Sequence, residues 1–507
     1  MFNEFPSTLP SKVRVFDSTL TLGEQVPGVS FTAQAKVEIA ESLDALGVDV
    51  IEAGFPATSE GEKRAVEEVV KAVRRISRAG FSSEISCMAR ARKDDVEIAL
   101  QTETDYISIF APVSDINIEK RLRKTREEVK ESVVQSIELA KSGGAKVEFV
   151  AEDASRADVD FLWEVLKAAE EAGADYINLT DSLGLLTPTG AKKMVIEAKR
   201  VISKPLGVTF HNDFGMATAN TIAAVEAGAE NVHVSVNGLG PKAGIAPLEQ
   251  VVMALHEILK VGTNVQTHML SEVSELVERL SGITMYEIMP IVGPLVYTYE
   301  AGVHVHGLMA DPSTYEPVPP DKVGKKRRIV VGKLSGKSTV QQVLKEMGIE
   351  AKDEEIEAIL LRIKALADQG VRITESVFMR AVEEVLGAKL EKPFEVQEWT
   401  VVTGSGITPL AHVRAKVNGK EVRSASVGVG PVDALANALR GIEGVPDFKL
   451  RRFRLRAISS GTEALGEVLV RVLGPKGEVE ASGISEDILE ASLNAFEDAV
   501  NKIMKKK

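Results

Sequence analysis

Along residues 1–260 the chain repeats one unit: a short run of β-branched residues, a polar residue at its end, then an amphipathic stretch of helical period. Val13–Phe16, Val48–Ala53, Ile85–Met88, Tyr106–Ile109, Val147–Val150, Tyr176–Leu179, Gly207–Phe210 and Val232–Val236 read as strands. Thr32–Leu46 sets Ala35, Ile39, Leu43 and Leu46 on one face and stops at Gly47, as a glycine-capped helix does. Arg64–Ser77, Glu127–Lys141, Asp158–Ala172, Gly190–Val201 and Thr218–Gly228 have the same character. Strands written as continuous apolar runs are buried on both faces, which is the habit of a parallel sheet covered by helices. Eight of them, each trailed by a helix, predict an α/β chain built on a (β/α)8 TIM barrel.

From Val261 the rhythm changes. Leu270–Ser281 reads as a helix. Pro290, Pro294, Pro312, Pro317, Pro319 and Pro320 break up the next stretch, and helices return near Ser338–Met347, Asp353–Gln369 and Thr374–Leu386. Residues 261–391 are thus expected to form helical linker subdomains able to cover a barrel mouth. From residue 392 three strands (Phe394–Thr403, His412–Val417, Glu421–Ser426) precede the helix Pro431–Arg440. Phe453–Ile458, Gly466–Leu473, Gly477–Ser482 and the helix Asp487–Lys502 repeat the order, with Gly404 matching Gly461 and Val413 matching Val470. Two β-β-β-α units each leave a sheet face to bury, so residues 392–507 are expected to form a pseudo-twofold α+β domain with a ligand cleft between its halves or across a dimer. A purely structural, dimerising domain is the competing reading.

Composition narrows the class. A length of 507 residues predicts two or three domains, and 44% hydrophobic with 27% charged residues is the balance of a soluble globular protein. No apolar run reaches membrane-span length and the first residues lack a signal pattern, so a cytoplasmic location is expected. A single cysteine, Cys87, excludes an internal disulfide and a multi-cysteine metal site. A net charge of -13 argues against a nucleic-acid partner, and the one basic run, Lys325–Arg328, leads straight into a strand and reads as a solvated turn.

Chemistry in a TIM barrel sits at the carboxyl ends of the strands. The seventh run ends in His211, Asn212 and Asp213, followed by Gly215 and a helical pattern. Asp17, Glu52, Glu152, Asp181 and Asn237 end other runs and are expected to converge on it.

Several stretches resemble the 2-isopropylmalate synthase family, whose relatives include citramalate and homocitrate synthases. They are Phe16-Asp-Ser-Thr-Leu20, Gly23-Glu-Gln25 with Pro27-Gly28, Glu52-Ala-Gly-Phe-Pro56, Ala151-Glu-Asp-Ala154, His211-Asn-Asp-Phe-Gly215, Val236-Asn-Gly238 and Glu300-Ala-Gly-Val-His304. The resemblance runs nearly the whole length and includes the C-terminal domain, which in the family binds leucine or another end product. It implies condensation of acetyl-CoA with a 2-oxo acid, such as 2-oxoisovalerate in leucine biosynthesis. In that reaction a divalent cation (Mg, Mn or Zn) chelates the oxo acid and polarises its carbonyl. An arginine stabilises the alkoxide, and a base takes the methyl proton of the thioester. The family holds the cation with an acid after strand 1 and a His-x-His at the end of strand 7, supported by an asparagine after strand 8.

Carried over residue by residue, the resemblance makes Glu152, His304 and Tyr315 catalytic, Glu52, Ser182 and Ser235 substrate-binding, and His211 a metal ligand. Each has a plainer alternative: Glu152 tying a barrel loop, His304 and Tyr315 packing, His211 to Asp213 knitting a strand end to its helix. The other expected positions depart from the pattern. The arginine and the metal carboxylate are Thr21 and Leu22, the first histidine is Thr209, the asparagine is Ile245, a histidine before Glu300 is Tyr299, and another is Leu334. Loss of one oxyanion-stabilising group alone slows a reaction by about 100- to 1,000-fold. No bound metal or other cofactor is therefore expected. The leading expectation is a non-catalytic paralogue that senses an amino acid, leucine or another, or modulates an active relative. It would be a homodimer or a heteromer with that relative. The alternative is an acyltransferase working on acetyl-CoA and a 2-oxo acid without a metal.

Overall fold

The structure, a computed structural model, describes residues 9–76, 82–371, 373–387, 392–457 and 465–505. Eight parallel strands close into a barrel in sequence order. They are β1 Arg14–Asp17, β2 Val50–Glu52, β3 Glu84–Arg90, β4 Tyr106–Pro112, β5 Lys146–Glu152, β6 Tyr176–Asp181, β7 Leu206–Phe210 and β8 Asn231–Val234. Around them run α1 Ala33–Leu46, α2 Glu60–Ile76, α3 Lys93–Leu100, α4 Arg126–Ser142, α5 Val159–Glu171, α6 Pro188–Val201, α7 Ala217–Glu226 and α8 Leu248–Ala254. The expected TIM barrel is what forms. The helices α3 and α8 lack a long amphipathic signature because each spans two turns or so; α3 buries only Asp95, Val96 and Ala99.

Local chemistry sets the boundaries. Thr32 caps α1 by accepting from the amide of Ala35, and Gly47 ends it at φ 90°. A Cβ at Gly47 would lie 2.5 Å from the carbonyl oxygen of Asn264, so space as well as conformation requires glycine there. Thr125 and Glu128 form a capping box at the start of α4.

The barrel interior is more polar than its strand sequences suggest. Glu148 of β5 is buried and accepts from Asn231 Nδ2 at 3.3 Å and Ser108 Oγ at 3.3 Å, and lies 3.0 Å from His233 Nε2. The imidazole of His233 stacks on Phe16 with ring centroids 3.8 Å apart. Buried polar groups persist when they pair, and Glu148 pairs with Ser108, His233 and the Asn231 amide across the barrel.

The described chain packs as two units, Met1–Thr298 with Glu316–Arg327, and Tyr299–Tyr315 with Arg328–Lys507. The first holds the barrel and α9 Leu270–Ser281. The joining segments carry the two-residue strands β9 Thr298–Tyr299 and β10 Arg328–Ile329. The second unit holds α10 Gly302–Ala310 and a cluster of α11 Lys337–Glu346, α12 Asp353–Asp368 and α13 Glu375–Leu386 around Val340, Ile359, Ile363 and Phe378.

It also holds two antiparallel three-stranded sheets in the expected β-β-β-α order. One is β11 Phe394–Gly404, β12 Ile407–Val417 and β13 Lys420–Val427, followed by α14 Pro431–Arg440; the other is β14 Lys449–Ala457, β15 Gly466–Gly474 and β16 Gly477–Ser485, followed by α15 Ile488–Lys505. Val413 and Val470 sit at matching central-strand positions and are both buried. Gly461, Ile458 and Ser77 lie outside the described residues. Among the described residues no helix is long and apolar enough to cross a membrane.

Candidate functional site at the barrel mouth

At the carboxyl end of β1, Asp17 is fully buried and accepts from the amide (2.9 Å) and hydroxyl (3.0 Å) of Thr19. Burial pushes its carboxyl up to about 7. The loop beyond β1 brings the Thr21 hydroxyl against the carboxylate of Glu52 at the end of β2. Burial raises the Glu52 carboxyl as well, against the pull of that hydroxyl. Leu22 comes next, half-buried, at the N-cap of the 3₁₀ turn Gly23–Gln25.

The end of β5 is held by charge. Both carboxylate oxygens of Glu152 accept from Arg121, at 2.8 and 2.5 Å. Arg121 comes from a π-helical turn, Asn117–Leu122, in the loop after β4. Next to it Asp153, buried at φ 63°, accepts from Ser114, Asn117 and Arg156. Its amide donates to the hydroxyl of Ser182 at 3.0 Å. Asp181 accepts from Ser155 Oγ at 2.6 Å and from the amides of Leu185 and Leu186.

The imidazole of His211 is nearly buried, at 8% exposure, and its Nδ1 has no hydrogen-bond partner. Burial first, then the ammonium of Lys242, pushes its pKa down to about 4, so the ring is neutral at physiological pH. Asp213, Asp181 and Asp153 act on it in the opposite direction. Lys242, at φ 59°, donates to Asp213 Oδ2 at 2.6 Å and to the carbonyl of Ser182 at 2.8 Å. Ile245 faces His211 across an isolated antiparallel bridge and has no exposed surface.

Of the strand ends expected to converge on His211, Asp181 does, joined by its neighbours Asp153 and Asp213. Glu152 is engaged by Arg121 instead. Asn237 turns toward α8 and α9, taking Glu249 as the acceptor for its amide at 3.2 Å and donating to the carbonyl of Ser274 at 2.9 Å. Glu249 is buried and pushed up to about 7, with Asp17 adding repulsion. Ser235 is fully buried and spends its hydroxyl on the carbonyl of Leu239 at 2.6 Å. In the second unit His304 and Tyr315 are exposed, and their rings lie 4.5 Å apart. Gly307 leaves room for that tyrosine, since a Cβ there would stand 2.5 Å from its ring.

Sequence reasoning assigns no role to Arg121, Lys242 or Asp153. Positive φ at Asp153 and Lys242 has no sequence signal, and Arg121 is one of several basic residues in its loop.

The donor set does not fit a divalent cation. Leu22 and Ile245 carry no donor atom, and the Thr209 hydroxyl already donates to Asn178 Oδ1 at 3.0 Å. Of these positions that leaves the His211 imidazole. The acids near it, Asp181, Asp153 and Asp213, are engaged by Ser155, Arg156 and Lys242. An oxygen and nitrogen site needs several free ligands and a charge-cancelling acid. Among the described residues no group of three or more His, Cys, Asp or Glu is arranged to hold a metal ion.

Comparison with known proteins places the fold in a family. Residues 12–277 match the HMGL-like family, residues 291–371 the homocitrate synthase post-HMGL domain-like family, and residues 372–504 the LeuA allosteric (dimerisation) domain. The chain is 45% identical over 504 residues to a Methanopyrus kandleri protein named "Probable 2-isopropylmalate synthase", covering 98% of this chain and 100% of that one. It is 43% identical over 505 residues to the 2-isopropylmalate synthase of Methanocaldococcus jannaschii (98% and 96% covered). It is 41% identical over 495 residues to the (R)-citramalate synthase of the same organism (97% and 99% covered). The chain belongs to the HMGL-like family, within the group of full-length relatives named 2-isopropylmalate and citramalate synthases.

Proposed function

We propose that this chain is a non-catalytic, amino-acid-sensing paralogue of 2-isopropylmalate synthase, acting as a homodimer or beside an active relative. One observation carries the reading: of the positions that the resemblance gives to the cation, Leu22 and Ile245 carry no donor atom and the Thr209 hydroxyl is spent on Asn178, which leaves His211. A condensation that depends on a Lewis acid and a guanidinium loses both when those groups are absent, and the two losses compound. The half-exposed Arg121 engages both oxygens of Glu152, which leaves that carboxylate poorly placed to act as a free base.

The sensing half rests on the second unit. A cavity of about 330 Å³ opens beside the start of α14, lined by Pro431, Val432, Asp433, Arg440, Phe448 and Leu450 among others. An acid and a guanidinium over an apolar floor suit a zwitterion with an apolar side chain. Calorimetric titration with leucine, isoleucine and valine, beside an assay of CoA release from acetyl-CoA with 2-oxoisovalerate or pyruvate in Mg²⁺ or Mn²⁺, tests the proposal. Saturable amino-acid binding without CoA release supports it; CoA release at ordinary enzymatic rates sinks it.

A second reading keeps an acyltransferase that needs no metal. It is favoured by the exposed His304–Tyr315 ring pair, two groups able to move a proton. It requires thioester turnover that EDTA leaves untouched and Glu152→Gln abolishes.

A further inference from the structure

The chain holds two Asn-Gly pairs, Asn237-Gly238 and Asn418-Gly419, and the fold treats them differently. In such a pair the asparagine side chain and the next backbone nitrogen meet readily, because glycine puts no side chain in the way.

Asn418 and Gly419 are the two central residues of the turn between β12 and β13, with Val417 paired to Lys420 across it. Both have positive φ, 47° and 82°, as a two-residue hairpin turn demands. Both are exposed, and a Cβ at Gly419 would meet nothing within 4 Å. The turn therefore leaves room for a ring to form on its solvent side. Among the described residues nothing holds the Asn418 carboxamide, while its backbone amide donates to the carbonyl of Pro393 at 2.8 Å.

Asn237-Gly238 is clamped instead. Ser274 of α9 donates its hydroxyl to Asn237 Oδ1, and its carbonyl accepts from Nδ2 at 2.9 Å, so the carboxamide turns only by breaking both bonds. The amide of Gly238 donates to the carbonyl of Ser235 at 3.1 Å. A Cβ at Gly238 would lie 2.9 Å from the ring of Pro247, which shows how little space surrounds this pair.

We propose that Asn418 is a site of spontaneous deamidation in the folded protein and that Asn237 is protected from it. The backbone nitrogen of Gly419 gives up its proton and bonds to Cγ of Asn418. The bond from Cγ to the side-chain nitrogen breaks, and that nitrogen takes a proton and leaves as ammonia. Water then opens the succinimide at either carbonyl and leaves an aspartyl or an isoaspartyl residue. One water is consumed, one ammonia is released, and the turn gains a negative charge. In the isoaspartyl form the backbone runs through the former side chain and is longer by a methylene. A longer turn strains the Val417–Lys420 pairing and the bond to Pro393, so the modification loosens the first β-β-β-α unit. None of this depends on the function proposed above.

The experiment incubates the full-length protein, folded and in urea, in one mildly alkaline buffer. Ammonia release gives the rate, and peptide mapping locates the exchange of a side-chain amide for an acid. In the folded chain Asn418 is expected to convert at least about tenfold faster than Asn237, and in urea the two at comparable rates. Asn418→Gln, at an exposed turn, is expected to remove the folded chain's ammonia signal. A folded chain in which Asn418 stays intact until the unfolded chain has converted overturns the proposal, as does one in which Asn237 keeps pace. Aged protein rich in the isoaspartyl form is expected to melt below fresh protein. Asn418→Asp, which adds the charge without the methylene, is expected to melt with the fresh chain. Equal melting of aged and fresh protein would overturn the claimed strain on the hairpin.

Discussion

Ile245 faces His211 across an antiparallel bridge, fully buried. An apolar residue at that position offers no hydrogen bond and no ligand atom. Burial and the nearby ammonium of Lys242 keep the ring neutral, and its Nδ1 has no hydrogen-bond partner.

Buried acids set the pH response of the barrel. Asp17 and Glu249 ionise near 7 in the fold and near 4 when unfolded. The folded values are raised, so the stability these acids contribute is present in full below about 4 and is lost as pH rises toward 7. His211 has the reverse sign: its folded value near 4 lies below its unfolded value near 6.5, so its contribution is lost as pH falls through that window. Thermal melts between pH 5 and 8 are expected to show a falling Tm that Asp17→Asn flattens. An unchanged slope in that variant would show that Asp17 does not set the pH response over this range.

Lys36 is fully buried on α1, with its ammonium 2.7 Å from Glu24, 2.6 Å from Glu62 and 3.2 Å from the carbonyl of Leu20. It joins the loop after β1 to the start of α2. Lys36→Met leaves two acids without their cation and is expected to cost on the order of 3 kcal/mol in urea unfolding. The loop around Leu20 to Phe31 should become the first site of proteolytic cleavage. A loss below about 1 kcal/mol would mean the acids find water instead.

Cys87 faces Thr102 and Thr104 inside the barrel wall, and burial pushes its thiol up to about 11. Its reaction with a disulfide reagent at pH 8 is expected to be slower than in urea by orders of magnitude, since the thiolate is the nucleophile. Fast labelling of the native chain would place the thiol at the surface.

The cavity beside α14 is expected to lose amino-acid binding by at least about tenfold, or 1.4 kcal/mol, in Arg440→Ala. The melting transition of the barrel should stay in place. Binding undisturbed by that change would move the effector site elsewhere.

Much of the scaffold is legible in the sequence because periodicity reports burial. The eight runs all form barrel strands, and the repeat at Val413 and Val470 marks two central strands. The interior is less legible: Glu148 and His233 lie within runs that read as apolar, and their contacts with each other and with Ser108, Asn231 and Phe16 explain them. The site is legible as single residues and hidden as pairs. Thr21 with Glu52 and Arg121 with Glu152 are each 31 residues apart, and nothing local foretells either contact. The lack of a donor at Leu22 and Ile245 is plain from the sequence, since a hydrocarbon has no lone pair wherever it stands.

Crystals of the natural protein soaked in manganese and measured for anomalous scattering address the cation most directly. The expected map has no anomalous peak within bonding distance of His211. A well-ordered, oxygen-coordinated manganese beside that ring would contradict the account.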